Sequence, residues 1–123
     1  MTNSISWFQI PANNYERAKA FYTEVLGAEI TDVPMPDARY GIFPFDKENN
    51  GVGGAIKELK DLDIQTEGGA LVYLNTGDDL SGPLSRVEEA GGKIVMPKTP
   101  VGNTFMALII DTEGNKVGLS SLN

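Results

Sequence analysis

Residues 7–30 read WFQIPANNYERAKAFYTEVLGAEI, and the middle of this stretch predicts a helix. Asn13 and Glu16 have the spacing of a capping box, in which the two side chains bind exposed amides at the helix start. We therefore interpret Glu16 as a capping residue and Arg17 as a solvated surface charge. Gly27 stands where a helix end needs a left-handed residue. Apolar residues recur at helical spacing and predict one buried face: Ala18, Phe21, Tyr22, Val25 and Leu26.

Short β-favouring segments surround this helix. Residues 5–10 precede it and end at Pro11, and further strands are predicted over residues 29–33, 39–45 and 52–59. The polar segment 60–69, KDLDIQTEGG, is expected to be a linker. The same order then repeats, with a strand over 70–74, a helix marked by Leu84, Val87 and Ala90, and strands over 93–96, 104–111 and 116–121.

A shift of 65 positions superposes the two halves and places Trp7 on Val72 and Gly27 on Gly92. The sequence thus predicts an α+β fold with two βαβββ modules, about 4–59 and 70–122, within a single domain, 1–123. Such a unit buries only one face of its sheet and needs a partner. We expect the two modules to form a curved mixed sheet with the helices outside and a concave cup inside, where a small ligand can bind.

Composition excludes several classes of function. The 123 residues include no cysteine and no histidine, which removes thiolate metal sites, cysteine nucleophiles and the commonest general base. The net charge of -7 opposes nucleic acid, because phosphate backbones are bound through clustered lysine and arginine. The longest apolar run, 105–110, is far too short to span a bilayer. We expect a cytoplasmic protein that binds neither nucleic acid nor membranes.

The chain resembles the vicinal oxygen chelate superfamily, which comprises glyoxalases, bleomycin resistance proteins and extradiol dioxygenases. The carriers are residues 7–30, VGGAI at 52–56, GDDLSGPLSRVEEAGGKIV at 77–95 and FMALIIDTEGNKVGLSSL at 105–122. The resemblance implies the two-module fold and a homodimer whose pocket borrows residues from the second chain. It does not imply one activity, because the superfamily includes isomerases, dioxygenases, epimerases, thiol transferases and proteins that sequester drugs.

Metal-dependent members of that superfamily place ligands at four strand positions. Carried over by motif, these positions are Trp7, Val72, Gly118 and either Gly53 or Gly54. None of these side chains binds a divalent cation, so we expect no metal and no other cofactor. Asp111 and Glu113 in the segment DTEGN offer oxygen ligands for calcium, but aspartate, glycine and asparagine are also the residues of a tight turn, and we favour that structural role.

The remaining candidates concern the pocket. We expect its lining to include Trp7, Gln9, Tyr40, Val72, Met106 and Gly118. Trp7 either presents a flat wall for a ligand or fills the space of the lost ion as core packing, and both alternatives stay open. Tyr40, Phe43, Phe45, Phe105 and Met106 border the same cup only if the strand register is right, because a slip of one residue reverses the face. Phe21 and Tyr22 are interpreted as core.

These observations favour a metal-independent homodimer that sequesters or senses a small molecule, either aromatic or, given the negative charge, cationic. A superfamily enzyme is the first alternative, for example a glyoxalase-like lyase or isomerase that uses carboxylate or tyrosine acid-base groups. Glu58 and Asp46 are the carboxylates to examine for that role. A purely structural or regulatory dimer, whose cavity its own side chains fill, is the second alternative.

Overall fold

The computed structural model describes residues 3–123, and over that range the chain forms two α-helices and eight β-strands. Their bounds are β1 Trp7–Ala12, α1 Tyr15–Leu26, β2 Thr31–Asp32, β3 Tyr40–Ile42, β4 Gly53–Glu58, β5 Tyr73–Asn75, α2 Ser81–Ser85, β6 Lys93–Val101, β7 Thr104–Ile110 and β8 Lys116–Ser121. The order of strand, helix and three strands occurs twice, and the predicted α+β class is confirmed. Residues 1 and 2 of the predicted domain lie outside the described range.

Each series of elements forms its own four-stranded sheet. The first sheet has the order β1-β4-β3-β2 and the second has the order β5-β8-β7-β6. β1 pairs with β4 and β5 pairs with β8 in parallel, whereas the other neighbouring strands are antiparallel. The expected mixed sheet is therefore present as two equivalent halves. The concave cup between them stays a prediction.

Helix α1 begins one residue later than the capping-box interpretation places it. The N-cap is Asn14, whose side-chain oxygen accepts from the backbone N–H of Arg17 at 3.1 Å. The Asn13 side chain instead donates to the carbonyl of Leu62 at 3.1 Å, and Glu16 forms an exposed ion pair with Arg39. The predicted end is confirmed, because Gly27 adopts the left-handed conformation at φ 63°.

The other differences in element bounds concern β1, β6 and α2. β1 continues through Pro11 to Ala12, which a strand at the edge of a sheet tolerates because its free side needs no amide donor. The edge strand β6 likewise runs on to Val101 past two prolines, with irregular register in between. α2 stops at Ser85, short of the predicted Ala90, and the chain continues to Gly91 in turns with shorter-range hydrogen bonds, such as that from the N–H of Val87 to the carbonyl of Leu84.

One hydrophobic core joins the two series. The buried face of α1 confirms the interpretation of Phe21 and Tyr22 as core residues, since their exposed fractions are 1% and 0%. Core residues from the first series are Ile10, Ala12, Tyr15, Ala18, Phe21, Tyr22, Val25, Ile30, Phe43 and Ile56. Those from the second series are Leu74, Leu80, Val87, Ala107, Ile109, Val117 and Leu119. Neither half therefore buries its apolar residues alone.

A buried carboxylate of the second series holds the first turn of α1. Glu113 accepts from the backbone N–H of Asn14 at 2.8 Å, from Arg17 Nε at 2.6 Å and from the hydroxyl of Thr112 at 3.0 Å. Burial by itself raises the pKa of Glu113, but the hydrogen bonds from Arg17, Asn14 and Thr112 outweigh it and leave the pKa below its ordinary value. The interpretation of Arg17 as a merely solvated charge is wrong.

The turn before β8 adds two further links. Tyr22 Oη donates to Asp111 Oδ2 at 2.6 Å, and burial together with the negative charge of Asp111 raises the pKa of Tyr22 well above its ordinary value. Asp111 Oδ1 accepts from the backbone N–H groups of Glu113 and Asn115, both at 2.9 Å. At the opposite end of α1, Arg86 Nη2 donates to the carbonyl of Val25 at 2.9 Å. The second series thus holds both ends of α1.

The substitution Glu113→Gln tests the contact at the helix start. We expect a loss of about 2 kcal/mol in the free energy of unfolding at pH 7, because hydrogen bonds to a buried charged group weaken or vanish. Since folding lowers the pKa of Glu113, its contribution is complete above the ordinary glutamate pKa and disappears as the pH falls through the lowered value. Urea unfolding at pH 7 and at lower pH should therefore show that the variant and the natural chain differ less in free energy of unfolding as the pH falls.

Glu67→Gln is the matched control. Its carboxylate also pairs with a cation, Lys116 at 2.9 Å, but its side chain is 80% exposed. Such a pair contributes little, and we expect a change within about 0.5 kcal/mol. Equal losses for the two variants would contradict the assignment of Glu113 as the residue that holds α1.

Candidate functional site

The two faces of the first sheet differ in what covers them. Strand alternation puts Phe8 and Ile10 on the side of α1 and puts Trp7 and Gln9 on the opposite side. Gly41 fixes this assignment, because a Cβ built there would meet the Tyr15 hydroxyl of α1. Its neighbour Tyr40 therefore lies on the side of Trp7, which we call the Trp7 face.

Aromatic side chains meet on the Trp7 face. Trp7 Nε1 donates to the Tyr40 hydroxyl at 3.2 Å, and the Trp7 and Phe45 rings contact edge to face with centroids 5.9 Å apart. Phe45 covers Gly53, where a Cβ would collide with its ring. Trp7 remains 37% exposed, so the cluster is partly open to solvent and the indole is not buried in the core.

The second sheet carries an equivalent arrangement on the face opposite its core residues. Tyr73 lies over Gly118, its partner in the pairing of β5 with β8, and is 43% exposed. Cross-strand pairing of β7 with β8 puts Met106 on the same face. Beside it is a recess of about 300 Å³ lined by Tyr73, Asn75, Gly77, Thr104, Ser120, Ser121 and Leu122. We call this the Tyr73 face.

Val72 does not share the Tyr73 face. It packs against the hydrophobic core, and its carbonyl accepts from the N–H of Gly118 at 2.8 Å. The pairing of Trp7 with Gly53 corresponds to that of Tyr73 with Gly118, so Tyr73 is the structural equivalent of Trp7. The predicted shift of 65 positions is one residue short at this strand, and a slip of one residue moves a side chain to the other face.

The same comparison settles which glycine corresponds to Gly118. Gly53 pairs with Trp7 on the Trp7 face, whereas Gly54 pairs with Phe8 and points toward its ring on the helix side. The other strand aromatics divide in the same way. Phe43 is 4% exposed and Phe105 packs against the core, so neither borders the Trp7 face or the Tyr73 face.

Two further openings border the first sheet, and Gly53 and Lys57 of the Trp7 face contribute to their linings. A cavity of about 220 Å³ lies between the sheets and includes Phe8, Leu26, Phe43 and Leu74 in its lining. A shallow groove of about 820 Å³ runs along the loop before β3 and the end of β4, lined by residues 35–39 and 57–62. Neither contains the indole or the Tyr73 ring.

Comparison with known proteins identifies the family. Residues 4–119 match the Glyoxalase/Bleomycin resistance protein/Dioxygenase superfamily. The chain belongs to this superfamily. The mycobacterial protein CFP32, whose name describes it provisionally as a glyoxylase, is 27% identical over 122 residues, which are 96% of this chain and 45% of the Mycobacterium tuberculosis protein. The chain thus spans about half the length of the curated relatives it matches.

Solved structures of the superfamily share the fold. A glyoxalase I mutant from Zea mays superposes with a TM-score of 0.72 at 22% identity, covering 94% of this chain and 45% of that one. TnmS3 from Streptomyces sp. CB03234, described as an antibiotic binding protein, superposes with a TM-score of 0.64 at 23% identity and covers 100% of this chain and 99% of its own. At these identities the likeness establishes the fold alone.

The residues at the metal positions that the resemblance implies do not fit a metal. With the register of the strands taken into account, these implied positions become Trp7, Gly53, Tyr73 and Gly118. Glycine has no donor, an indole N–H is not a ligand, and one phenol cannot form the set of about three that a catalytic metal needs. Within residues 3–123, no group of three or more His, Cys, Asp or Glu side chains is placed to hold an ion.

The alternative calcium site at the DTEGN turn has no free ligands. Both oxygens of Asp111 and both oxygens of Glu113 already accept hydrogen bonds within the chain. Asp111 therefore closes the turn, and Glu113 holds α1. This geometry agrees with the structural role that the sequence analysis favoured for the turn.

The two carboxylates proposed for acid-base chemistry also serve local structure. Glu58 Oε2 accepts from the backbone N–H of Tyr15 at 3.1 Å on the helix side of the first sheet. Asp46 accepts from the side chain of Asn49 at 2.6 Å within its own turn. Neither geometry presents a free base to a ligand on the Trp7 face.

Over residues 3–123, none of the helices is long and apolar enough to cross a bilayer.

Substituting one glycine of each sheet with alanine tests the register that defines the site. Gly54→Ala should lower the free energy of unfolding by about 1–3 kcal/mol, because its methyl group collides with Phe8, which packs against the core. Gly118→Ala should affect stability less, because the half-exposed Tyr73 ring can swing into solvent. Urea unfolding measures both changes, and the Tyr73 ring resonances should move only in Gly118→Ala. The reverse order of stability losses would show that the faces are misassigned.

Proposed function

We propose that this chain is a metal-independent binding protein that sequesters or senses a small aromatic molecule. The observation that carries the proposal is the replacement at the superfamily's metal positions. In each sheet an exposed aromatic ring on the first strand stands beside a glycine on the last strand, Trp7 with Gly53 and Tyr73 with Gly118. These rings are about two-fifths exposed, and exposed aromatic rings favour stacking on a planar ligand.

The polar groups on these faces suit orientation of a ligand. The Tyr40 hydroxyl accepts from Trp7 and so keeps its own hydrogen available for a ligand acceptor. Gln9 lies on the same face as Trp7, and Met106 lies opposite Ser120 on the Tyr73 face. Met106 adds an adaptable apolar surface. Of the predicted lining, Val72 alone lies on the core side, and Tyr73 takes its place.

Two properties of the relatives support this proposal. TnmS3 combines the same fold, at nearly equal chain length, with a description as an antibiotic binding protein. The names glyoxylase and glyoxalase I suggest catalysis in other relatives, but those chains are about twice as long. Because Glu58 and Asp46 are occupied by local structure, binding without turnover is the function that this geometry supports better.

The proposal includes a homodimer in the cytoplasm. The chain covers 45% of two longer relatives, so two copies would nearly equal one of them in length. Trp7 and Tyr73 are partly exposed, and a second copy, or a ligand held between two copies, would cover them. Light scattering should then report twice the chain mass of 13.2 kDa.

Elemental analysis with a thermal-shift screen tests the function. Protein purified and then treated with EDTA should contain no stoichiometric transition metal and should still be stabilised by planar aromatic compounds such as indole and quinoline derivatives. A compound at a hundredfold excess over its dissociation constant should add about 2.7 kcal/mol to the free energy of unfolding. The substitution Trp7→Ala should remove most of that stabilisation, because it deletes the stacking wall.

Leu62→Ala is the matched control, since Leu62 is 39% exposed but lies in the segment between the two series. Its thermal shifts should equal those of the natural chain. A tightly bound metal whose removal abolishes binding would overturn the proposal. Hits that bind the Trp7→Ala and natural proteins equally would remove Trp7 from the site.

A further inference from the structure

Charged residues are distributed unequally between the two sides of the sheets. The acidic residues on strands are Asp32 and Glu58, and both lie on the helix side, where they accept hydrogen bonds from Tyr15. On the Trp7 and Tyr73 faces, the charged strand residues within the described range are Lys57, Lys93 and Lys116. A chain with 17 acidic and 10 basic residues thus keeps its strand carboxylates off both aromatic faces.

Lys57 stands beside the aromatic cluster. It is the direct cross-strand partner of Tyr40, on the same face, and directly opposed residues on adjacent strands have Cβ atoms about 5 Å apart. No ion pair or hydrogen bond of its ammonium is found within residues 3–123. Lys116, by contrast, is neutralised by Glu67 at 2.9 Å. Trp7, Tyr40 and Lys57 therefore form a line that runs from an indole to a hydroxyl donor and then to a cation.

A second cation flanks the other end of this line. Lys47 Nζ lies 5.7 Å from the centroid of the Phe45 ring, on which Trp7 packs. The nearby carboxylate of Asp46 is turned back onto Asn49. The charges that line the shallow groove balance one another, since the cations Arg39, Lys57 and Lys60 stand with the carboxylates Asp37, Glu58 and Asp61. Two lysines, Lys57 beside Tyr40 and Lys47 over Phe45, therefore flank the aromatic cluster, although the whole chain is negative.

We propose that the ligand is an aromatic acid, whose planar ring stacks on Trp7 and whose carboxylate or phenolate binds Lys57 and the Tyr40 hydroxyl. This inference rests on the proposed function and narrows its ligand class. Charges farther away than about 8 Å are largely screened at physiological ionic strength. The charge of the preferred ligand is therefore set by Lys57 and not by the net charge of -7. A cationic ligand would meet a like charge at Lys57 and would find no strand carboxylate on either face.

Isothermal titration calorimetry with three compounds of one shape tests this choice. The probes are 2-naphthoate, its uncharged methyl ester and 2-naphthylmethylammonium, each titrated into the natural chain. We expect 2-naphthoate to bind about tenfold more tightly than the ester, which is a typical effect of one charge-assisted hydrogen bond, and the ammonium to bind most weakly. In Lys57→Gln, the affinity for 2-naphthoate should fall to that of the ester, and the affinity for the ester should not change.

Lys19→Gln is the matched control, because it removes the same charge from the helix side, where Lys19 pairs with Asp32 at 3.0 Å. It should leave all three affinities within about twofold of the natural values. Ester or ammonium binding that equals that of 2-naphthoate, or an unchanged 2-naphthoate affinity in Lys57→Gln, would overturn the proposal and leave the aromatic-binding function intact. Failure of all three probes to bind would instead refute the aromatic site on which it rests.

Discussion

The contact between α1 and the second series is the constraint on which the rest of the structure depends. Exposed N–H groups give the start of a helix a partial positive charge, and exposed carbonyls give its end a partial negative charge. Glu113 binds at the start of α1 and Arg86 binds at its end, so both ends receive the charge they favour. The first series supplies the helix with its caps Asn14 and Gly27, and the second supplies the charged group at each end, which makes each half incomplete without the other.

This arrangement also explains why the Trp7 and Tyr73 faces remain open. Helix α1 contributes buried residues to a core that includes residues of both sheets. The apolar residues on the core side of each strand are buried in this core. The alternate residues of the same strands point the other way, and the rings of Trp7 and Tyr73 stay about two-fifths exposed. Large apolar groups left exposed on a pleated surface are a feature of binding sites. The two-sided pattern of each strand therefore both builds the core and leaves the rings of Trp7 and Tyr73 exposed.

Much of the fold could be predicted because the signals are local. The apolar spacing from Ala18 to Leu26 and the glycine that follows determine α1, and β8 has its predicted bounds. The contact of Arg17 with Glu113 could not be predicted, because 96 positions separate the two residues and their types are ordinary for a solvated helix and a tight turn. The predicted capping residue, Asn13, was wrong by one position, because Asn13 and Asn14 are adjacent and asparagine at either position can cap a helix.

Part of the geometry of the candidate site could be predicted for the same reason. Trp7, Gln9 and Tyr40 share a face because strand alternation is a local rule, and Trp7 contacts Tyr40 as a shared lining requires. Val72 was placed on the wrong face because the second half has one residue fewer between its first and last strands, and no feature of the sequence marks where that residue is missing. The net charge averages over surfaces that the fold separates, and only the pairing of Tyr40 with Lys57 shows that a lysine lies beside the aromatic cluster.

Nuclear magnetic resonance of the single tryptophan tests the central claim most directly, because a chain with one indole gives one indole N–H signal. In the presence of EDTA, added 2-naphthoate should shift the Trp7 signal and the amides of β1 and β4 in a saturable manner, while the side-chain signal of Arg86 stays in place. A Trp7 signal that does not move, with shifts confined to the cavity beside Phe8 and Leu74 or dependent on added metal, would contradict the account.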